Sequence, residues 1–326
     1  MKQFLLFAFI MISLTSGAQV YKLAEPLAHT YSIVARDSVT GEIGVAVQSH
    51  WFSVGSLAIY AHAGVGAVAT QSFVNPSYGP NGLELMKQGM SAQNALDKLI
   101  AEDTGAPYRQ VAFLDNTGGT AAYTGSLCIA EAGHITGKNF SVQANMMLKN
   151  TVWQAMAQAF KNTTGSLSKR MLAAMKAAEA EKGDIRGKQS AAILIVKSEA
   201  TGNIWDDTLM DLRIEDHPNP IQELERLMDI HKAYEFMNKG DLATETGNTM
   251  AAETYYLKAQ ALYPDNLEMQ FWYAINLLNN KNFEKATPIL KRIYTANSNW
   301  KVLTKRLVAS QLLKISESKL QTILSL

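Results

Sequence analysis

Residues 30–52 read TYSIVARDSVTGEIGVAVQSHWF, and this stretch decides the kind of fold. From Glu42 to Ser49, the apolar Ile43, Val45 and Val47 alternate with the small Gly44 and Ala46. Residues two apart share one face of a strand, so the segment reads as a strand packed on both sides. Its small-residue face must lie against something close. Thr30 opens the preceding strand, and Asp37 stands at that strand's end before Val39-Thr40-Gly41, where it suits the turn.

Working outward, Ala67 to Gln71, Val111 to Asp115, Thr120 to Thr124 and Ser190 to Lys197 read as further strands. Asn116-Thr117-Gly118-Gly119 is a hairpin turn signal between two of them. Apolar residues at helical spacing mark Gly82 to Gln88, Ala92 to Ala101 with Ser91 as N-cap, Val152 to Lys161, and Leu167 to Glu181. Lys182-Gly183 suits the end of the last of these. Strands come in hairpin-like pairs, then helices, then strands again, which indicates a layered α+β domain and not a doubly wound parallel sheet.

Asp216-His217-Pro218-Asn219-Pro220 breaks this pattern, and from Ile221 the chain reads as helical to its end. The expected boundaries are therefore 30–215 for the α+β domain and 221–326 for an all-α tail. Counted from Ala233, a unit of 34 residues places Phe236, Gly240, Ala252, Tyr256, Ala259 and Pro264 at spacings that resemble the tetratricopeptide consensus. A second unit from Leu267 gives Ala274, Leu277, Ala286 and Leu290, with Ser298 in place of the closing Pro. Lys301 to Leu326 is expected as a capping helix. An ordinary pair of helical hairpins is the alternative reading.

Met1-Lys2, the apolar run Phe4 to Leu14 and the small residues Thr15 to Ala18 have the form of a signal peptide, residues 1–18, cut after Ala18. The chain is accordingly expected to be exported, to a periplasmic or extracellular location. No later segment approaches about 18 uninterrupted apolar residues, so no membrane span is expected after that cut. The 30 basic and 29 acidic side chains leave a formal charge of +1, no footprint for nucleic acid. The single cysteine, Cys128, rules out an internal disulfide and reads as a small buried side chain. His62, His134, His217 and His231 show no HxxxH or HExxH spacing, so no metal is implied. The absence of GxGxxG and GxxxxGK[ST] leaves no cofactor implied either.

Several longer motifs carry a resemblance: GVGAVATQSFVNPSYGPNGLELM at 64–86, CIAEAGH at 128–134, FSVQANMM at 140–147, GDIRGKQSAAILIV at 183–196 and EDHPNPIQEL at 215–224. With residues 30–52 they resemble the family catalogued as domain of unknown function 1028, placed among the N-terminal-nucleophile (Ntn) hydrolases, over about Thr30 to Tyr234. The resemblance implies a four-layer αββα sandwich, two antiparallel sheets between helical layers. It also implies a Thr, Ser or Cys exposed as first residue, attacking an amide while its own α-amine, of pKa about 8, serves as base. Thr30 is the matching residue. Gln19 to His29 would stand ahead of it after signal peptidase, so a second cut at His29-Thr30 is required; without that cut Thr30 is an ordinary strand residue.

Around it, Ser32 shares the strand face of Thr30. Ser49 and His50 are adjacent and point to opposite faces, which makes direct activation of one by the other geometrically poor. Proteasome-like relatives keep an Asp about where Gln48 falls and a Lys where Leu57 to Ala61 has none. Gln71-Ser72 is expected either to offer backbone donors to an oxyanion or to lead the turn into Asn75-Pro76. Asn145, Asp184, Arg186, Lys188, Gln189 and Ser190 add polar groups beside apolar runs. Arg186 either clamps a substrate carboxylate or pairs with Asp184. Two functional readings follow. One is an exported amidohydrolase acting on small amides or peptides, with catalytic Thr30, Ser32, Gln71 and Ser72, and with Ser49, His50, Asn145, Asp184, Arg186 and Gln189 binding substrate. The other is a non-catalytic scaffold whose tail docks an envelope protein.

Overall fold

The computed structural model describes residues 27–326, and the expected signal peptide over 1–18 lies outside them. Two compact units divide between Leu224 and Glu225. The first has mixed α+β structure. In chain order its elements are β1 (Leu27–Ala28), β2 (Thr30–Arg36), β3 (Ile43–Ser49), α1 (Gly55–Ala58), β4 (Ile59–His62), β5 (Gly66–Phe73), α2 (Tyr78–Lys87), α3 (Ala92–Glu102), β6 (Arg109–Asp115), β7 (Thr120–Thr124), β8 (Gly133–Gly137), β9 (Phe140–Ala144), α4 (Val152–Asn162), α5 (Leu167–Ala180), β10 (Ser190–Val196), α6 (Ile204–Asp207) and β11 (Thr208–Ile214).

These strands form two antiparallel sheets. One runs β11-β10-β3-β2-β9-β8; the other runs β1-β5-β6-β7, with β4 also on β5. One edge of β5 is thus shared: β4 pairs with Gly66 to Ala69, and β1 pairs Leu27 with Phe73 and Ala28 with Ser72. Val34, Ile43, Val45 and Val47 of the first sheet pack with Ala67, Ala69, Ala112 and Leu114 of the second. The small face of β3 meets α5, where a Cβ on Gly44 would stand 2.8 Å from Met171 Sδ. On the far side of the second sheet, Val68, Val111 and Phe113 pack with Tyr78, Met86 and Leu96 of α2 and α3. Both faces of the inner strands β2, β3, β5 and β6 are therefore covered, which is why these strands are buried along nearly their whole length.

Local chemistry sets the element ends. The Asp37 carboxylate accepts from the amides of Val39 (2.8 Å) and Thr40 (2.9 Å), closing the β2–β3 turn. Ser91 caps α3 through the Asn94 amide at 3.2 Å. Lys182 and Gly183, with φ of 80° and 49°, end α5 and deliver Asp184 to the sheet end. One expected boundary changes, and two strands were not expected. α2 begins at Tyr78 and not at Gly82, because Pro80 falls in its first turn, where a missing amide costs nothing. β8 and β11, the two opposite edge strands of the six-stranded sheet, were hidden by short, glycine-bounded or charge-interrupted sequence.

The second unit is helical. α7 (Pro220–Glu245) enters it at Glu225, followed by α8 (Thr249–Leu262), α9 (Leu267–Asn279), α10 (Phe283–Ala296), α11 (Asn299–Ala309) and α12 (Glu317–Leu324). Ala252, Tyr256, Ala259, Ala274, Leu277, Ala286 and Leu290 form its buried core. Gly240 lets α7 approach Tyr256, whose ring a Cβ would meet at 2.7 Å. Asn248 and Asn282 occupy equivalent N-caps, accepting from Ala251 and Lys285. The expected single capping helix is two helices, because Gln311 adopts φ 62° and the Leu312 and Leu313 amides turn back to Leu307. Among the described residues no helix is long and apolar enough to cross a membrane.

Candidate functional site

β2 lies between β3 and β9, with Thr30 opposite Ser49. The Thr30 carbonyl accepts from the Asn145 amide (3.1 Å), Asn145 Nδ2 (3.3 Å) and Gln71 Nε2 (3.1 Å). Three donors on one carbonyl hold the residue's backbone still. Its Oγ1 turns back along the chain and donates to the Ala28 carbonyl at 2.8 Å. Every partner of Thr30 in these contacts is electrically neutral.

The residue before it is held as firmly. The His29 carbonyl accepts from Ser49 Oγ at 2.5 Å and from Arg186 Nη2 at 2.9 Å. A hydroxyl and a guanidinium converging on one carbonyl oxygen polarise it towards attack at carbon. Arg186 is itself fixed by a bidentate pair with Asp184, Nε to Oδ1 at 3.0 Å and Nη2 to Oδ2 at 2.7 Å. The His29 ring is fully buried, with Nδ1 2.7 Å from Asn145 Oδ1 and its edge against Phe73. Burial lowers the pKa of His29; the Asn145 hydrogen bond opposes this and Arg186 adds to it, so the ring sits there neutral.

Behind Thr30, side-chain amides fill the space between the sheets. Gln143 donates to Ser32 Oγ (2.5 Å), Ser32 to Gln71 Oε1 (2.6 Å), and Gln71 to Gln110 Oε1 (2.6 Å). Gln110 Nε2 ends the series on the carbonyls of Ala144 (2.9 Å) and Gly133 (3.2 Å) and on Thr124 Oγ1 (2.9 Å). These groups are buried and satisfied, as a polar network in a core must be.

The structure thus brings together Thr30, Ser32, Gln71, Ser49, Asn145, Asp184 and Arg186. Gln71 and Ser72 lie within β5, paired with Gln110 and Arg109 of β6, and it is the Gln71 side chain that reaches Thr30. Donors converge instead at Ser49 and Arg186. Ser72 pairs with Ala28 of β1 and has a buried side chain. His50 gives its backbone amide to Asp184 at 3.3 Å, while its side chain is exposed. Gln189 Nε2 leaves the cluster for Asp216 Oδ1 at 3.1 Å. Arg186 pairs with Asp184 and also reaches the chain ahead of Thr30. Cys128 is half-buried, with its Sγ on the Arg109 carbonyl at 3.2 Å, and burial pushes its thiol up. His29, Gln110 and Gln143 were not singled out from the sequence. The two glutamines carried a readable sign, a lone amide inside an apolar strand. Among the described residues no group of three or more His, Cys, Asp or Glu is placed to hold a metal ion.

Residues 30–224 match DUF1028, a family of unknown function. Among solved structures, a DUF1028 protein of Silicibacter pomeroyi aligns with a TM-score of 0.56 at 32% identity, over 61% of this chain and 88% of that one. The ancestral beta-subunit Anbu of Yersinia bercovieri aligns with a TM-score of 0.31 at 12% identity, over 60% of this chain and 92% of that one. No curated protein matches.

Proposed function

The chain belongs to the DUF1028 family, and from that premise we propose that its first unit is an amide hydrolase of the Ntn type, with Thr30 as nucleophile once the chain has cut itself between His29 and Thr30. The observation that carries this reading is the His29 carbonyl, held by Ser49 and Arg186 immediately ahead of a buried, hydrogen-bonded threonine. The succession of α4 and α5, two antiparallel sheets, then α2 and α3 supports it, being the layering that the resemblance implies.

In the self-cut, Thr30 Oγ1 adds to the His29 carbonyl carbon, and Ser49 and Arg186 stabilise the negative charge on its oxygen. The C–N bond then breaks, the nitrogen leaving with the proton that the hydroxyl gave up, and an ester joins His29 to Thr30 Oγ1. Water hydrolyses the ester, releasing a His29 carboxylate and leaving Thr30 with a free hydroxyl and a free α-amine. With a pKa of about 8, that amine is a competent base for later substrates. No lysine is needed for this, in keeping with the neutral partners of Thr30. The three donors on the Thr30 carbonyl keep the residue in place when its covalent tether is gone.

N-terminal sequencing and intact mass of the protein from an exporting host test the proposal. The expected wild-type chain begins at Thr30, and Thr30→Ala keeps the residues ahead of position 30. A wild-type chain that retains His29, or a Thr30→Ala chain cut at the same bond, overturns it.

A further inference from the structure

Resting on that reading, we infer that the matured site takes peptides in the seat that residues 27–29 occupy, and selects a neutral, N–H-donating side chain such as His or Asn at the residue whose carbonyl is attacked. Three features of that seat are on hand. First, β1 lies on the β5 edge, Leu27 opposite Phe73 and Ala28 opposite Ser72, so the seat orders an extended backbone by strand pairing. Second, Ala28 is fully buried within the inter-sheet core beside Val47, Val54 and Ala69, so the second position from the cut admits a small side chain. Third, the pocket of residue 29 is read by one polar atom, Asn145 Oδ1.

The polarity of that atom is fixed from behind. Gln110 Nε2 faces the carbonyl oxygens of Gly133 and Ala144, which only accept, so Gln110 Oε1 must face Asn145. Asn145 Nδ2 therefore donates to Gln110 Oε1 (3.0 Å) and to the Thr30 carbonyl (3.3 Å), which leaves Oδ1 turned to residue 29 as an acceptor. His29 meets it with Nδ1–H. Its Nε2 is buried with no hydrogen-bond partner, so the pocket asks for one donor and offers nothing else. Nδ2 of an asparagine stands at the same bond distance from Cβ as Nδ1 of histidine and satisfies Oδ1 alike. An aspartate of the same shape sets acceptor against acceptor in a buried site, and an alanine leaves Oδ1 without a donor.

The test uses the full chain first and the matured chain second. Full-length chains carrying His29→Asn, His29→Asp or His29→Ala are followed by intact mass as they convert. The expected order is His and Asn within about threefold of one another, with Asp and Ala at least about 30-fold slower, as for a site built to hydrogen-bond a substrate group. Wild-type chain matured by its own cut is then given acetyl-Leu-Ala-X p-nitroanilides with X as His, Asn, Asp or Ala. The same order is expected in kcat/KM. It should be expressed mainly in KM, because the contact already exists before reaction. If the wild type never cuts itself, the nucleophile reading falls and takes this one with it. If it cuts itself but Asp serves as well as Asn in the matured enzyme, the nucleophile reading stands and the inferred selectivity alone is wrong.

Discussion

Removing the Ser49 hydroxyl separates the chemistry of this site from its stability. Ser49→Ala deletes one of the two donors on the His29 carbonyl, the one at 2.5 Å, and leaves Arg186 at 2.9 Å. Removal of one oxyanion donor costs about 2.7–4 kcal/mol of transition-state stabilisation, a rate loss of roughly 10²–10³-fold. The folded state loses much less. The backbone of Ser49 keeps its place opposite Thr30 and Ser190, the change removes one oxygen, and the carbonyl retains a partner, so about 1 kcal/mol is expected. Cell-free synthesis with timed aliquots analysed by intact mass gives the conversion rate, and urea unfolding gives the stability. Arg186→Ala is a poorer probe, since it withdraws the counter-charge of Asp184, whose carboxylate is wholly buried, at a cost of about 3–5 kcal/mol. Conversion of Ser49→Ala within about threefold of wild type, with the fold intact, would refute the assignment of Ser49 as a donor to the developing oxyanion.

Gln48 is fully buried on the α5-facing side of β3 with neither amide atom hydrogen-bonded, so Gln48→Met should raise the urea midpoint by the equivalent of about 1–3 kcal/mol. A lower midpoint would mean that water inside the protein satisfies that amide. Burial holds His29 below the ordinary 6.5 in the folded chain, so between the two values the unfolded chain binds the proton and the folded chain does not. In the uncleavable Thr30→Ala background, stability should therefore fall as pH drops below 6.5 and level off under the folded value. The fall should shrink when His29→Ala is added, the remainder belonging to His134, which burial also holds below 6.5; a pH profile unchanged by that substitution counts against the buried neutral ring. Gly44→Ala puts a methyl 2.8 Å from Met171 Sδ and 3.2 Å from Ile195 Cγ1, an overpacking expected to cost about 1–3 kcal/mol. Met171→Ala should relieve part of that cost in the double variant, and strict additivity would deny the contact.

Much of this arrangement was legible where a residue contradicted its surroundings. Gly44 and Ala46 announced a close neighbour because nothing else explains small residues between Ile43, Val45 and Val47. Asn145 stood out as a polar side chain beside apolar runs, and it touches Thr30; Gln71, read for its backbone, touches Thr30 through its side chain. Gln110 in RQVAFLD and Gln143 in FSVQA bore the same mark. What stayed hidden depended on direction in space. Gln189 follows Arg186 closely in sequence, yet its side chain leaves for Asp216, and only the folded loop decides that. His29 was overlooked because it precedes the strand that defines the fold, and its ligands, Ser49, Asn145 and Arg186, come from three distant segments. Gln71 was read as the end of its strand and Ser72 as lying beyond it; the ladder runs on to Phe73 and fixes both backbones, so the contribution of Gln71 comes through its side chain.

The shared edge of β5 works as a ruler. β4 stops its pairing at Ala69 and β5 itself ends at Phe73, so Thr70 to Phe73 lie beyond β4, and β1 pairs with the last two of them, Ser72 and Phe73. A chain laid there pairs for two residues and is then turned off the sheet, and the next peptide bonds are those flanking residue 29. On the proposed function, position along a bound chain is thereby counted by geometry, and the bond presented to Thr30 is set by where the ladder runs out. Were β1 to leave after the proposed cut, the edge exposed from Thr70 to Phe73 would still be short, which disfavours recruitment of a second copy of the sheet.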